Sequence, residues 1–274
     1  MKSLLAFQDI IGNIGAEFLD CLFPPKCLKC GFIMSGNKAF SKHFQAKIPF
    51  SFESDLTQWQ YFVDSIKSCF CDRCLEYLGC CHLCPDTDFS LSSFKAPEKS
   101  GIRYAWAASR YQGIIKESIH LLKYDDKTVL ANRLGKLLFF IFVRKYSGYD
   151  IDLIVPIPLY RWRMVKRGFN QSFLLVKDFQ RWWFQQKGIE PNWSVNYRCL
   201  ARRKNTKSQV GFTREERKLN MSNAFTVKRP DDVRKKKVLL VDDVHTTGAT
   251  SSEAAVRLYD AGADCVDLLV LANA

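Results

Sequence analysis

No stretch of this 274-residue chain reaches the roughly 18 uninterrupted apolar residues that a membrane-spanning helix needs. The pattern of a secretory leader is missing as well, because Asp9, Glu17 and Asp20 interrupt the opening apolar run. Leu4, Leu5, Phe7, Ile10, Ile11, Ile14, Phe18 and Leu22 recur there at helical spacing instead. The expectation is a cytoplasmic protein with no transmembrane segment. Its N-terminal stripe either docks on the protein's own core or rests on the inner face of the membrane. Low-complexity tracts and internal repeats are absent, and 47% apolar residues exclude a disordered chain. Acidic residues are scarce in one part only. Residues 1–100 hold 10 basic and 11 acidic side chains, whereas the other 174 hold 31 basic and 17 acidic, a net of +14. That second part is suited to an anionic partner: nucleic acid, a phosphorylated small molecule or an acidic membrane surface.

Cysteine is what the first part has in excess. Nine of the eleven lie between Cys21 and Cys84. A reducing compartment makes such a cluster a metal site rather than a disulfide framework. Three Cys-x-x-Cys knuckles are visible: Cys27/Cys30, Cys71/Cys74 and Cys81/Cys84. Two knuckles complete a closed tetrahedral Zn²⁺ site, which holds a small module together and leaves no open position for catalysis. Three are one too many for one site and one too few for two. The pairing expected is Cys27 and Cys30 with Cys71 and Cys74, the residues between them looping out as an insertion over 31–68. Cys81/Cys84 stands as an alternative second knuckle or as the remnant of a second site. Cys199 and Cys265 stand alone and read as small core residues.

The polar segment 86–101 reads as a linker, which divides the chain into a cysteine-rich module (1–100) and a larger domain (101–274). In the larger domain, strand-like "IRYAWAASRYQG" precedes spacing that suits two helices. "IDLIVPIPL" (151–159) is a short apolar strand ending in prolines. "FLLVKDFQRWWFQQ" reads as a helix, "VNYRCLARR" and "KKKVLLVDD" as strands, "GATSSEAAVRLYDAGA" as a helix and "CVDLLVLANA" as a last strand. Strands alternating with helices imply an α/β fold, a parallel sheet flanked by helices.

The strand "VLLV" ends on Asp242 and Asp243, at the sheet edge where ligands of open parallel sheets bind. The loop that follows opens a helix, whose first amides are unpaired and favour an anion. Thr246, Thr247 and Thr250 add hydroxyl donors, and Gly248 admits close approach of the backbone. The Gly-Lys-Ser/Thr ending of a Walker loop is missing, and one glycine is too few for a dinucleotide fingerprint. Two carboxylates repel a phosphate but suit hydroxyls, so the ligand carries a diol beside its phosphate. A ribose 5-phosphate fits that description.

"VLLVDDVHTTGAT" resembles the phosphoribosyl-pyrophosphate motif of type I phosphoribosyltransferases. Together with "PIPLYRWRMVKRGFNQS", "FTREERKLNMSNAF" and the N-terminal cysteine module, the chain resembles the ComF family of bacterial competence-related proteins. The resemblance spans nearly the whole chain apart from 31–68. The family pattern has four knuckles, and here the fourth position falls in "FSLSS", which has no cysteine.

The resemblance implies a type I phosphoribosyltransferase-like sheet behind a zinc ribbon, phosphoribosyl pyrophosphate as ligand with Mg²⁺, and DNA-uptake proteins as partners. It implies that Asp242 and Asp243 hold the ribose hydroxyls. His245, Thr246, Thr247, Gly248, Ala249 and Thr250 hold the 5-phosphate, His245 through its backbone. Arg161, Arg163 and Arg167, with Lys166 and Gly168, form a pyrophosphate loop. The stretch 198–237 has 14 basic and 4 acidic residues, and it resembles a flexible loop closing over the diphosphate through Lys204, Lys207 and Gln209. Asn220 also matches a family position. Lys123 reaches the phosphates or is a surface lysine. The family's reaction is pentosyl transfer to a nitrogen nucleophile, whose identity no motif reveals. The alternative expectation is a non-catalytic module gripping single-stranded DNA, with a vestigial or sensory sugar-phosphate site. In it Trp162, Trp182, Trp183 and Trp193 stack on bases rather than pack in the core.

Overall fold

The computed structural model describes residues 25–34, 64–78, 101–146, 150–203 and 223–274. The N-terminal stripe, the third knuckle, most of the linker and the segment 204–222 lie outside the described residues. The chain divides into two compact units, Met1–Cys81 and His82–Ala274.

In the first unit a tight turn carries Cys27 and Cys30. It is closed by Gly31 N donating to the Cys27 carbonyl (2.9 Å) and by Cys27 N donating to that of Phe32 (2.8 Å). Gly31 has φ +74°, the left-handed region that a side chain disfavours. Leu28 N donates to the carbonyl of Cys69 at 3.0 Å and stitches this turn to the second cysteine segment. Helix α1 (Asp72–Leu78) starts directly after Cys71, with Asp72 in its first turn, where the helix dipole favours an acid. Ile66 and Phe70 are fully buried and form the small apolar centre.

The second unit runs β1 (Ile102–Arg110), α2 (Gly113–Tyr124), α3 (Val129–Tyr146), β2 (Leu153–Pro156), α4 (Arg161–Arg167), α5 (Gln171–Val176) and α6 (Phe179–Lys187). It continues with β3 (Ser194–Val195), β4 (Leu200–Arg202), β5 (Phe225–Val227), β6 (Lys237–His245), α7 (Ala249–Asp260) and β7 (Cys265–Asn273). Five strands form one sheet in the order β1-β7-β6-β2-β3, and every neighbouring pair is parallel. The expected parallel sheet flanked by helices is the fold observed. β2 and nearly all of β7 are buried on both faces, which is why they read as apolar runs rather than alternating ones, and the one acid in β7, Asp267, pairs with Arg103 at 2.8 Å.

One face carries α3 and α5. Fourteen of the eighteen residues of α3 are buried, Arg133 and Lys136 among them, so almost its whole circumference is packed. Gly135 lets the two helices meet, since a Cβ there would lie 2.6 Å from the carbonyl oxygen of Leu175. The other face carries α7 and the antiparallel β4–β5 ribbon. Ala254, Ala255 and Leu258 pack with Val238, Leu240, Val266, Leu268, Leu200 and Phe225.

Local structure departs from expectation at four places. The helix expected over "FLLVKDFQRWWFQQ" is two, because the chain turns at Lys177 and Asp178, where Asp178 pairs with Arg181 (3.2 Å) to open α6. The basic stretch after β2 is a short helix, α4, rather than open loop, and it ends at Gly168 in the left-handed conformation (φ +76°). β6 runs two residues past the acid pair, because β7 continues beside it to the His245–Asn273 pair. The single strand expected over "VNYRCLARR" is split between Val195 at the end of β3 and β4 in a separate sheet, while β5 carries no signal of its own and exists through its pairing with β4.

Candidate functional site

The cysteine cluster comes first in the chain. The Sγ atoms of Cys27, Cys30, Cys71 and Cys74 all lie within 4.8 Å of one another, and the Cys30–Cys71 separation is 3.7 Å. A tetrahedron of about 2.3 Å Zn–S bonds has edges of about 3.8 Å, so a structural zinc fits this donor set. Burial pushes the Cys74 thiol well up, and the three neighbouring sulfurs add to it. Cys27 falls to about 7, because backbone amides of Cys30, Cys71 and Lys29 outweigh its burial. Four thiolates this close need a cation to coexist. Cys69 is buried outside the cluster, its Sγ 3.9 Å from the carbonyl of Ser65. Cys80, Cys81, His82 and Cys84 lie outside the described residues. Cys199 and Cys265 are buried in the second unit, as expected of core cysteines.

In the second unit the acid pair lies at the carboxyl end of β6. Strand alternation sends neighbouring side chains to opposite faces. Val238 and Leu240 point into the α7 side, and Asp242 follows their phase. Asp242 Oδ1 accepts from Ser172 Oγ and from the backbone N–H of Asp243, both at 2.9 Å. Burial raises its pKa to about 7, reinforced by the charge of Asp243, while Lys123, that amide and Ser172 pull the other way. Asp243 faces the opposite side, where Lys123 Nζ donates to its Oδ1 at 2.9 Å with both side chains largely out of water. Burial opposes the Lys123 charge, but the attraction of Asp243 and then Asp242 outweighs it and holds the ammonium above its ordinary pKa. Among the described residues, Asp243 Oδ2 is buried without a hydrogen-bond partner.

The Thr-rich loop follows at once. Asp242, Val244, His245, Thr246, Gly248, Ala249, Thr250, Ser251 and Val270 line an open cleft with about 260 Å³ of free space. Gly248 is left-handed (φ +76°) and α7 begins at the next residue, so the first helical amides close one end of the cleft. Thr247 Oγ1 is buried without a hydrogen-bond partner among the described residues. The His245 ring is buried, with Nδ1 3.1 Å from Asn273 Oδ1, and burial lowers its pKa, which leaves it neutral at neutral pH.

The basic elements approach from α4 and β4. Arg161 and Lys166 are exposed, whereas Arg163 and Arg167 are half-buried. Arg167 Nη1 donates to Gln171 Oε1 at 2.7 Å, and its guanidinium lies 5.5 Å from the Tyr124 ring centre. Asn170 caps α5 by accepting from Ser172 N (3.1 Å), which places the Ser172 hydroxyl on Asp242. Arg202 is tied to Tyr160 by an isolated parallel bridge. Burial and the charge of Arg163 lower its pKa to about 10, against the pull of Asp242, so these three groups share one neighbourhood. Lys204, Lys207, Gln209 and Asn220 lie outside the described residues, between β4 and β5.

The DNA utilization protein YhgH of Escherichia coli (strain K12) is 35% identical to this chain over 156 residues, 56% of the chain and 64% of that relative. The protein of the same name from Salmonella typhimurium is 32% identical over 168 residues, 60% of the chain and 70% of that relative. The competence protein ComFC of Streptococcus pneumoniae is 28% identical over 248 residues, 87% of the chain and 95% of that relative. This chain belongs to the ComF family. No family model matches it. Among solved structures, the allosteric regulatory enzyme of purine biosynthesis covers 52% of the chain and 26% of its own at 15% identity. Its TM-score of 0.31 is too slight a likeness to carry weight.

In this ComF chain the described part of the site joins four elements: β6, the start of α7, the C-terminal turn of α2 and the start of α5. Ser172, Arg202 and Asn273 went unnoticed in the sequence. Lys123 is not the surface lysine that was one of its two expectations, and it meets a carboxylate rather than the loop. Ser172 had one available signal, its place two residues after the helix-capping Asn170. Of the four tryptophans, Trp182 and Trp193 are buried in an aromatic cluster with Phe139, Phe142 and Phe179, whereas Trp162 is 72% exposed.

Proposed function

We propose that this chain binds phosphoribosyl pyrophosphate at the carboxyl edge of its sheet and acts in DNA utilization or uptake, as a phosphoribosyltransferase-like protein. The observation that carries this is one continuous surface: an acid at the strand end, then a cleft lined by Thr246, a left-handed glycine, Thr250 and the first residues of α7. Carboxylates accept from the sugar diol, and the loop donates to the 5-phosphate. Asp242 takes one hydroxyl on the cleft side. Asp243 is held one residue on, with an oxygen to spare.

The diphosphate end is assigned to α4, through Arg161, Arg163, Arg167 and the turn at Gly168, with Lys204, Lys207 and Gln209 as further candidates. Mg²⁺ travels with the diphosphate, whose hard oxygens recruit it, and shields that charge from the acid pair. Transfer of the pentosyl group requires attack at C1 with departure of pyrophosphate, and the acceptor is a nitrogen nucleophile in this reading. The names of the relatives support the role in DNA utilization and competence. Titration calorimetry tests the binding step. Phosphoribosyl pyrophosphate is expected to bind more tightly with Mg²⁺ than with EDTA, and no heat in either buffer contradicts the proposal.

One observation favours a second reading, single-stranded DNA on the basic face. Trp162 projects from α4 among Arg161, Arg163 and Lys166, a stacking ring surrounded by cations. That reading expects DNA affinity to fall steeply with salt and Trp162→Ala to weaken it while leaving sugar-phosphate binding intact.

A further inference from the structure

We propose that Lys123 is a positioning residue that gives the acid pair a permanent cation, so that the ribose end of the site takes a sugar phosphate without a divalent metal. This rests on the phosphoribosyl reading above and names what makes its acid pair workable. Consecutive carboxylates at a strand end, mostly out of water, repel each other and the phosphate that must lie one loop away. Something must offset that charge, and the described residues show what does.

Lys123 comes from the last turn of α2, 120 residues away in sequence, and its ammonium is 2.9 Å from Asp243 Oδ1. The lysine is 18% exposed and the aspartate 5%, so the bond is charge-assisted and poorly screened. Its place is fixed by packing. Ile119 and Leu122 on the same helix are buried, and Asp125 N closes the helix by donating to the Leu121 carbonyl at 3.1 Å. Only one Asp243 oxygen is taken by Lys123, and Oδ2 is buried without a hydrogen-bond partner among the described residues. The lysine therefore holds Asp243 in one orientation. It serves the acids rather than the phosphates.

The test is calorimetric titration of the full chain with ribose 5-phosphate, which lacks the diphosphate, in EDTA and in Mg²⁺. The wild type is expected to bind equally in both buffers. Lys123→Met is expected to lose about tenfold or more in EDTA and to recover part of that in Mg²⁺, while Lys123→Arg stays near the wild type. Thermal melting supplies a readout without ligand. Stability lost in Lys123→Met is expected to return when Asp243→Asn is added, which a merely packed lysine would not show. Should Lys123→Met fail to fold, Lys123→Gln serves in its place. Wild-type binding that needs Mg²⁺, or Lys123→Met binding as well as wild type in EDTA, overturns the role of Lys123 alone. No binding by the wild type in either buffer contradicts the phosphoribosyl reading and takes this role with it.

Discussion

Asp242 combines features that oppose each other. Its carboxylate is half-buried on the cleft wall and sits beside a second acid, yet it receives two hydrogen bonds at 2.9 Å. The balance favours the proton, with a pKa of about 7 against an ordinary 3.8. The fold therefore binds a proton more tightly than the unfolded chain, and stability falls as pH rises from about 4 to about 7. Asp242→Asn removes that penalty. The variant is expected to melt higher than wild type at pH 8, by the equivalent of roughly 2–4 kcal/mol, and to match it near pH 4. Melting curves across that range check this, and a difference independent of pH would contradict it. A carboxylate whose ionisation opposes stability is what a binding site, rather than a structural ion pair, is expected to show.

At the scale of elements, α4 is the clearest functional piece. It buries none of its seven residues, so packing alone does not explain its sequence. Arg163 and Arg167 are half-buried, and Arg167 is held by Gln171 and lies over Tyr124. Arg167→Glu is expected to weaken phosphoribosyl pyrophosphate about tenfold or more and to leave ribose 5-phosphate nearly unchanged, because the proposed site assigns only the diphosphate end to this helix. Equal loss of both ligands, measured by calorimetry, would place Arg167 elsewhere. The strands of the sheet were legible because burial on two faces writes itself as unbroken apolar runs, and β2 and residues 238–241 of β6 are the plainest cases. The acid pair and its loop were legible because their residue types are costly at a strand end without a ligand. Lys123 and Ser172 were not, since they meet the pair across 120 and 70 residues. No local pattern encodes such contacts. β3 and β5, at two and three residues, are too short to show a period. α4 reads as a loop because its charges carry no amphipathic stripe.

As a whole the chain joins two units of different physical kind. The first has few apolar residues to bury among those described, and its four cysteines supply the cohesion that a small core lacks. Metal analysis is expected to give about one zinc per chain, and Cys27→Ser or Cys74→Ser to lose the metal together with the protease resistance of residues 1–81. Freshly reduced protein without zinc would contradict this, and two zincs would bring Cys81 and Cys84 into a second site. The second unit holds the sheet, the acid pair and the net positive charge, so it is the part suited to an anionic partner.

The central claim is that the strand-end acids of this ComF protein hold a ribose diol, and one titration addresses it most directly. Phosphoribosyl pyrophosphate with Mg²⁺ is measured against the wild type and against Asp242→Asn combined with Asp243→Asn. Each charge-assisted bond lost is expected to cost about 1.5–3 kcal/mol, or roughly tenfold to a hundredfold in affinity per residue. Inorganic phosphate in the 245–250 loop is expected to bind as well or better, since two negative charges are gone from its side. Sugar-diphosphate affinity unchanged in the double variant would contradict the phosphoribosyl reading of these acids.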